Sequence, residues 1–449
     1  MKTKHTHMTW PCVLTAALLL LAALLTAAPS ATAAPGAYYV SSVMGSDAND
    51  GRSASRPFKT IQAAADKTRP GDTVYIMNGT YGDLSPEGVV QITRSGAPGM
   101  PITYRPLPGH KPVLAPVTGW NGIVVIGASY IVISGLDIRG DSDNLRLEDA
   151  EVGSKPTGPA FNTNCIYIRE DFPSGRTSHH ITVRDNHIWD CPGAGIGSAN
   201  ADHLLIERNR VHSNAWYSAF ATSGISVLTP VDVDSGPGYK IIVRNNVVHD
   251  NESKVKWYVC SCYSDGNGII IDQTLHREGT GVPYKGRILV ENNLAFDNGG
   301  SGIHSFSSAN VDIVHNTAYM NSRGREINYP NIGAWHSSNV RLLNNISVAR
   351  PGKPTNFTFE NSDVVYDYNI YYGGTAPMVQ GSHDVIADPK LVAPGTDSRH
   401  ADFRLAAGSP AIDSGLATST RADYAGTPRP QGTGWDRGAY EFRRHYTKP

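Results

Sequence analysis

The hydrophobic residues of this chain fall into a series of short aliphatic strands, each of which is followed closely by an asparagine. Within a strand, Val, Ile and Leu alternate with other residues, so we expect their side chains to share one inward face. The asparagines recur at steps of 23, 37, 47, 23, 29 and 24 residues. They are Asn186, Asn209, Asn246, Asn293, Asn316, Asn345 and Asn369. A coil of about 23 residues, with insertions of about 14, 24 and 6 residues, accounts for these steps.

Such a period predicts an all-β solenoid, a parallel β-helix in which every coil adds one rung. Stacked asparagine amides are expected to bond to neighbouring coils at a turn, which makes these asparagines structural. The segment 130–136 fits as an earlier rung, separated from the later ones by an insertion over roughly 140–164. We therefore expect one elongated domain over 34–449, with its central rungs over 116–375.

The amino-terminal end of this domain has a different pattern. The segment 57–67 predicts a short amphipathic helix, and Thr73–Ile76 predicts the strand that follows it. Because stacked-repeat folds need their ends covered, we interpret the helix as an N-terminal capping helix. The segment 34–115 is accordingly assigned as the cap and first rungs.

The insertions gather around one stretch, an aliphatic strand that is bracketed by Asp265 and Asp272. Loops rich in polar and aromatic residues precede and follow this strand and its neighbours. Insertions leave a solenoid as loops, and loops on a rigid scaffold carry function. We therefore predict a functional patch centred on residues 265–272.

Alternation along the rungs sorts their side chains into inward and outward sets. Alignment of the Gly-Ile rungs places Ile196, Ile225, Ile269 and Ile303 inward. One outward row is then Tyr167, Gly197, Ser226, Ile270, His304 and Gly333, and the next is Arg169, Ala199, Leu228, Asp272, Phe306 and Trp335. An acidic residue beside aromatic rings suits a sugar chain, whose flat faces stack on rings and whose hydroxyls bond to carboxylates.

Composition narrows the class of protein. With 45 Gly, 29 Pro and only 18% charged residues, the chain favours turns and short strands over helices. A formal net charge of −1 argues against nucleic acid or an anionic membrane as the partner. We expect a monomer whose partner is a polysaccharide.

The first 33 residues predict export. A basic start, an apolar run and the small-residue box Ala31-Thr32-Ala33 are typical of a secretory signal peptide. The apolar run is shorter than the ~20 residues of a membrane span, and no later segment is apolar enough to be one. We therefore expect a secreted, extracellular protein.

Four cysteines remain after removal of this peptide, and in an oxidising compartment they allow three pairings. A bridge between Cys165 and Cys191 is compatible with the pattern. Cys260 and Cys262 would point the same way along a strand yet lie apart, so they are not expected to pair easily.

Two segments resemble known proteins. The first runs from Tyr38 to Tyr81 and contains Gly-Ser-Asp-Ala-Asn-Asp-Gly, Pro-Phe-Lys-Thr-Ile-Gln and Pro-Gly-Asp-Thr-Val-Tyr-Ile. It resembles the start of secreted right-handed parallel β-helix proteins, many of them carbohydrate-active, including family-nine polysaccharide lyases. The segments 403–413 and 436–442 resemble the closing part of many such proteins. The resemblance implies a right-handed β-helix, with 376–449 as a C-terminal capping segment.

The resemblance to the lyases extends to part of their calcium site. Their Asp-Gly before one rung strand is matched by Asp265-Gly266. Their second stretch falls on 298–304, where this chain has Gly300, Ser301 and His304 in place of three calcium-binding aspartates. If Ca²⁺ is bound, the resemblance implies Asp265 as a ligand, and Asp272 is the nearest second carboxylate.

Two reactions fit a sugar groove on this scaffold, and a third hypothesis needs no reaction. A lyase acting on a uronic-acid polymer such as pectin is the leading hypothesis, with Asp265 and Asp272 holding a cation or substrate. It also needs a base and positive charge, for which the candidates are Lys254, Lys256, Arg169 and Arg287. A glycoside hydrolase needs two carboxyls. The candidates are Asp265 and Asp272, or either of them with Glu170, Asp171 or Asp190. The third hypothesis is a non-catalytic carbohydrate-binding or surface protein.

Candidate substrate-binding residues are Trp216, Tyr217, His304, Phe306 and Trp335. Several candidates also have a plain structural interpretation. Asp265 in Ser-Asp-Gly is typical of an Asx turn, and lysines in a loop are usually solvated charges. Trp216 and Tyr217 are equally suited to anchoring their loop by packing.

Overall fold

The computed structural model describes residues 35–275 and 281–443. In it the chain coils so that its strands form three parallel β-sheets. The predicted signal peptide over 1–33 lies outside the described residues. Each complete coil contributes one strand to each sheet, so neighbours in a sheet are three strands apart in sequence, except for the first pair of the first sheet and the last pair of the third. This is the predicted all-β, parallel β-helix, with right-handed crossovers as parallel connections almost always have.

Strands are numbered β1 to β33 in chain order. The first sheet comprises β1 Ala37–Val40, β2 Thr73–Ile76, β5 Ile102–Pro106, β8 Ser129–Ser134, β11 Ser178–Arg184, β14 Ala201–Glu207, β17 Tyr239–Arg244, β20 Arg287–Glu291, β23 Ala309–Val314, β26 Ser338–Leu343 and β29 Ser362–Asp367. The second comprises β4 Gly88–Ile92, β7 Asn121–Ile126, β10 Asn164–Arg169, β13 Ile196–Ala199, β16 Ile225–Leu228, β19 Ile269–Asp272, β22 Ile303–Phe306, β25 Ile332–Trp335 and β28 Asn356–Phe359. The third comprises β3 Thr80–Tyr81, β6 Val113–Leu114, β9 Asp137–Arg139, β12 His187–Trp189, β15 Arg210–His212, β18 Val247–His249, β21 Leu294–Phe296, β24 Thr317–Tyr319, β27 Ile346–Pro354, β30 Ile370–Thr375 and β31 Val385–Ile386. An antiparallel pair follows, β32 Leu391–Ala393 and β33 Asp402–Leu405.

The core is the space enclosed by the three sheets. The predicted inward residues Ile196, Ile225, Ile269 and Ile303 are register partners on successive strands, and all are fully buried. Burying a side chain of this size is worth about 1.5–3 kcal/mol, so the aliphatic stack is the main stabilising feature of each rung. The predicted inward face is confirmed.

The predicted asparagine ladder is present from Asn186 to Asn369. The Asn186 Nδ2 donates to Asn209 Oδ1 at 3.0 Å, and the same bond repeats from rung to rung up to Asn369. A second, unpredicted ladder joins Asn214, Asn251, Asn298, Asn321 and Asn331. Its first steps are again 37, 47 and 23 residues, so the same period marks both turns.

The amino-terminal helix α1 spans Ile61–Ala65, shorter than the predicted 57–67. The Thr60 hydroxyl caps it by accepting from the Ala63 N–H, and Ile61 and Ala65 are buried in the core. Its interpretation as the cap of the solenoid remains a prediction. The other described helices are α2 Leu147–Gly153 and the 3₁₀ helices Ser142–Asn144 and Pro159–Phe161.

The carboxy-terminal segment packs on the outer side of the coil. Phe403 and Ala439 are buried together with Phe296 and Ile346, which belong to the third sheet. A buried ion pair between Arg429 and Glu441, 2.7 Å long, holds the segment's own fold. The segment therefore covers several rungs from the side, and a cap over the last rung remains a prediction.

The four cysteines of the described chain form two disulfides. Cys165 is bonded to Cys191, as the sequence allowed. Cys260 is bonded to Cys262, which corrects the expectation that they would not pair. These two cysteines lie in a turn rather than a strand, with Ser261 in the left-handed region and a bridge between Trp257 and Cys262 closing it. Within residues 35–275 and 281–443, no helix has the length and hydrophobicity needed to cross a membrane.

Candidate active site

The second sheet carries the predicted functional patch on its outer face, and we call it the cavity sheet. Its register pairs Leu228 with Asp272, Asp272 with Phe306, and Phe306 with Trp335. The row beside it pairs Ile270 with His304. The predicted outward rows are therefore confirmed.

A cavity of about 810 Å³ lies over this face. Its floor includes Ser226, Ile270 and the ring of Tyr167, which lies so close over Gly197 that a Cβ there would be 2.7 Å from the ring. Loops that precede the strands form one side. They supply aromatic residues, among them Trp120, Phe220, Trp257 and Tyr258. Trp120 contacts Phe220 edge to face, and Phe220 contacts Tyr258 in the same way.

Asp265 is both a turn residue and a cavity residue. It has a φ of 62°, and Gly266 follows with a φ of 67°, where a Cβ would lie 2.4 Å from the Ser253 nitrogen. This turn aims the carboxylate into the cavity. Ser264 Oγ donates to one oxygen at 2.8 Å, and Asn267 Nδ2 donates to the other at 2.9 Å. Asn267 also accepts from the Ser301 N–H, so the turn is tied to the next rung.

The surroundings of Asp265 set its acidity. Burial raises the pKa of Asp265 to about 6, although the hydrogen bonds from Ser264, Ser223 and Asn267 favour its charged form. The carboxyl therefore changes its charge near neutral pH. Above pH ~6 it is an anion that already has donors in place.

Asp272 ends β19 at the second outward position. Its Oδ1 is buried and has no hydrogen-bond partner among the described residues. Burial first, and then the charge of Asp265, raise the pKa of Asp272 well above its usual range. The two carboxyls thus face one cavity, the charge of Asp265 acts on Asp272, and the two groups lose their protons at different pH.

An aromatic stack bounds the cavity on the carboxy-terminal side of Asp272. The His304 ring lies parallel to the Trp335 indole, with centroids 4.3 Å apart and an interplanar angle of 4°. Burial lowers the pKa of His304 to about 3, so its ring is neutral at physiological pH. Its Nδ1 is buried and lacks a partner within the described chain. Phe306 meets Trp335 edge to face.

Arg169 bounds the cavity on the opposite side. Its guanidinium reaches across β7 to the Glu87 carboxylate, with 3.6 Å between Nη2 and Oε2. Both residues line the cavity together with Trp120. Arg169 was predicted as a catalytic cation, and the structure places it at the cavity with a carboxylate beside it.

Four other candidates do not reach the cavity. The Lys254 Nζ lies 3.2 Å from the centroid of the Trp216 ring, and the exposed Lys256 lies near Tyr263. Trp216 and Tyr217 pack in a separate apolar cluster with Val255. These assignments are corrected because the loop folds against its neighbour instead of over the cavity sheet.

The remaining sequence candidates also lie elsewhere. Glu170 accepts from the Asn200 side chain, Asp171 closes a turn with Ser174, and Asp190 contacts Arg139. Arg287 is paired with Asp312 on the first sheet. Each of these groups is engaged in a structural contact outside the cavity lining. Of the carboxyls that line the cavity, Glu87 contacts Arg169, which leaves Asp265 and Asp272 as the candidate pair.

The donor set at the site does not fit Ca²⁺. This ion takes 6–8 oxygen ligands, and in the part of the chain that the structure describes no three His, Cys, Asp or Glu side chains converge on one point. The Asp265 oxygens already accept hydrogen bonds, and Asp272 has a raised pKa that disfavours the ligating anion. Calcium therefore has no assigned role at this site.

Several cavity residues were not predicted. Glu87 and Trp120 come from rungs that sequence analysis treated mainly as scaffold, and Phe220, Trp257 and Tyr329 come from loops. Tyr329 is held by its hydroxyl, which lies 3.2 Å from Ser264 Oγ. Trp120 lies directly before β7, which is in register with β10. This position could have identified Trp120 as a cavity residue.

Fold and site together define a β-helix protein with an acidic, aromatic cavity on one sheet. A family model described as "Right handed beta helix region" matches residues 117–272 and 175–347, more than half of the chain. A second model, "Pel9A-like, right handed beta helix region", matches 38–164. The chain belongs to the right-handed β-helix family and is pectate lyase-like in its fold.

Individual relatives are more distant. The uncharacterized protein YwoF of Bacillus subtilis (strain 168) is 32% identical over 165 residues, which are 34% of this chain and 29% of that protein. Pectate lyase PEL9 of Emericella nidulans is 31% identical over 132 residues, which are 29% of each. The chain thus matches less than a third of the length of these curated relatives.

The matches to solved structures are distant as well. Pectate lyase Pel9A is 15% identical with a TM-score of 0.47, and the match covers 91% of this chain and 96% of that one. The GH136 lacto-N-biosidase from Eubacterium ramulus is 15% identical with a TM-score of 0.44, covering 75% of this chain and 56% of the other.

Proposed function

We propose that this protein is a polysaccharide-active enzyme that hydrolyses glycosidic bonds in the cavity. The observation that carries the proposal is a pair of carboxyls, Asp265 and Asp272, that face one cavity with raised but different pKa values. Glycoside hydrolysis uses two carboxyls, one protonated and one ionised. Environments that separate the pKa values of two acids assign these roles.

The roles follow from the hydrogen bonds. Asp272 has the oxygen without a partner, holds its proton more strongly, and serves as general acid toward the leaving oxygen. Asp265 accepts bonds from Ser264 and Asn267, which stabilise its anion, and serves as base or nucleophile. Activity should rise as pH increases through ~6, where Asp265 ionises, and fall when Asp272 loses its proton.

The aromatic walls support a sugar as the ligand. Trp120, Trp257 and Trp335 line the cavity, and their flat faces suit the apolar faces of sugar rings. The neutral His304 and the buried acids offer partners for hydroxyl groups. Since the Asp265 anion would repel a uronate carboxylate, we propose a neutral glycan as substrate.

β-Elimination on a uronic-acid polymer is the second candidate, and it is favoured by the Pel9A-like match and by the relative named pectate lyase. That reaction needs a base and positive charge near the uronate carboxyl. Among the described lining residues, Arg169 is the basic side chain other than His304, and it already contacts Glu87. The geometry therefore favours hydrolysis.

The test is incubation with matched panels of neutral and uronate polysaccharides. Hydrolysis predicts new reducing ends without the ultraviolet absorbance of unsaturated sugars, and an Asp265→Asn, Asp272→Asn double variant should release none. Absorbance from unsaturated ends would overturn hydrolysis in favour of elimination. Binding without any cleavage would support the third hypothesis, a non-catalytic carbohydrate-binding protein.

We also propose that the protein is exported as a monomer. The signal pattern over 1–33 and the two disulfides support an oxidising, extracellular location. Amino-terminal sequencing of protein from the culture medium should begin after Ala33, and light scattering should give the mass of one chain. Retention in the cell with residues 1–33 intact would overturn the export.

A further inference from the structure

The cavity is bounded at both ends along the axis of the β-helix. At the amino-terminal end the Arg169–Glu87 ion pair crosses β7, beside Trp120. At the other end the stacked rings of His304 and Trp335 stand across the outward rows. An extended polysaccharide that lies along a β-helix needs a groove that is open at both ends, whereas this cavity has an ion pair at one end and two stacked rings at the other.

The carboxy-terminal boundary is braced from several sides. Trp335 contacts Phe306, which is its register partner, and Phe357 on the next rung. Tyr329 lies beside Trp335, with ring centroids 6.0 Å apart. Its hydroxyl lies within hydrogen-bonding distance of Ser264, the residue before Asp265. We call His304, Phe306, Tyr329 and Trp335 the end wall. A wall held by four ring contacts and a hydrogen bond is a fixed feature of the cavity.

The carboxyl pair does not lie midway between the two boundaries. Asp272 on β19 is one strand from His304 and Phe306 on β22, which is roughly 5 Å at the usual strand spacing. It is three strands from Arg169 on β10, roughly 14 Å away along the axis. The cavity thus has a short arm toward the end wall and a longer arm toward Arg169.

A polar atom without a partner is also buried beside the short arm. His304 is 2% exposed, and its buried Nδ1 has no partner among the described groups. A buried polar atom without a partner costs free energy unless a ligand or water satisfies it.

We propose that the cavity takes the end of a glycan chain rather than its interior and releases a short fragment of fixed length. The proposal rests on the hydrolytic function proposed above and specifies its substrate as chain ends and short oligosaccharides. The end wall sets the fragment length, because it stops the chain one or two sugars beyond Asp272.

The experiment compares products from a polymer of the neutral panel and from linear hexasaccharides labelled at the reducing end. Wild-type protein should give one short product from the earliest time points, with little loss of polymer viscosity for each bond cut. Mixed product lengths and a steep loss of viscosity would overturn this inference while leaving hydrolysis intact. No cleavage of any substrate would overturn hydrolysis, and the inference with it.

Variants then locate the cause. Trp335→Ala should open the end wall and raise the ratio of internal to terminal cuts about tenfold, equivalent to about 1.4 kcal/mol of lost discrimination. Phe359→Ala is the matched control, because Phe359 pairs with Trp335 in register but lies one rung beyond the wall and is 49% exposed. It should keep the wild-type product length. An unchanged product length in a folded Trp335→Ala protein would overturn the role of the end wall. Whether the protein cuts chain ends is decided by the products of the wild-type protein alone.

Discussion

Asp272 and Asp312 both occupy outward positions on interior rungs, Asp272 on the cavity sheet and Asp312 on the sheet beside it. Asp312 is fully buried, and its carboxylate accepts paired bonds from Arg287 and Arg341 at 2.6–2.7 Å. Burial raises its pKa, but the bonds from Arg341, Arg287 and Tyr239 outweigh it and lower the pKa below the usual value. Among the described residues no such cation contacts Asp272, and its pKa moves the other way.

The difference separates a structural acid from a functional one. A buried carboxylate with a full set of donors is stable as an anion and has no reason to exchange protons. A buried carboxyl that has few donors and no cation beside it is costly to ionise and is therefore able to deliver a proton near neutral pH. Both acids lie in strands of interior rungs, so a strand position alone does not separate Asp272 from Asp312. The residues across the register do: Arg341 beside Asp312, and Leu228 and Phe306 beside Asp272.

The largest effect is expected from Asp272→Asn. Loss of the general acid should lower kcat roughly 10²–10⁴-fold, with KM nearly unchanged because the amide keeps the shape of the side chain. Initial rates on the cleaved substrate measure this, and circular dichroism checks the fold. Asp312→Asn is the control and should keep its kcat per folded molecule. Equal losses in the two variants would contradict the contrast between the two acids.

Leu228→Arg is designed to make Asp272 resemble Asp312. Leu228 pairs with Asp272 in register as Arg341 pairs with Asp312, so a guanidinium there should stabilise the Asp272 anion. We expect activity to fall about 100-fold at pH 7, with the high-pH limb of the profile moved to lower pH. Leu228→Met is the neutral control of similar size. If both variants keep the wild-type limb, that limb does not belong to Asp272.

Asp312→Asn should act on stability instead. Removing the acid leaves Arg287 and Arg341 side by side without a counter-charge, although both are partly solvated. We expect a loss of about 2–3 kcal/mol in the free energy of unfolding, below the 3–5 kcal/mol of a fully buried pair. Urea denaturation measures it. Asp185→Asn, at an exposed ion pair with Arg208, should cost under about 1 kcal/mol.

The smallest effect is the pH dependence of stability at Asp272. Its folded pKa is raised above the unfolded value, so the folded state binds its proton more tightly and loses stability as pH rises between the two values. Asp272→Asn removes this loss and should be more stable than wild type by about 1–2 kcal/mol at pH 7. Thermal melts of both proteins should converge at pH ~4, near the unfolded pKa. A difference that is constant with pH would refute the assigned shift.

Much of the fold was predictable because it is periodic. Ile269 and Ile303 on inward positions, the asparagine steps and the row through Asp272 and Phe306 all follow from a two-residue alternation within a rung and a fixed coil length. Both rules act within a few residues or from one coil to the next. They hold wherever the coil is regular, and the structure reproduces them there.

The errors occurred where the coil is irregular. Lys254 and Trp216 lie in a loop whose own packing, a cation over an indole, competes with any approach to the cavity. Cys260 and Cys262 pair because the chain turns between them. Neither outcome follows from the periodicity, since a loop's path depends on contacts with other loops.

The sequence by itself determined the β-helix, the register of its rungs and the location of the candidate site between Asp265 and Asp272. Alternation and repeat length suffice for these, because each side chain's face is set by its own strand. Only the tertiary structure decided which acids are paired, that Glu87 and Trp120 join Arg169 at one end of the cavity, and that Trp335 stands against His304 at the other. These contacts join residues on different rungs. The protonation states and solvent exposure of these residues are set only when the coils have stacked.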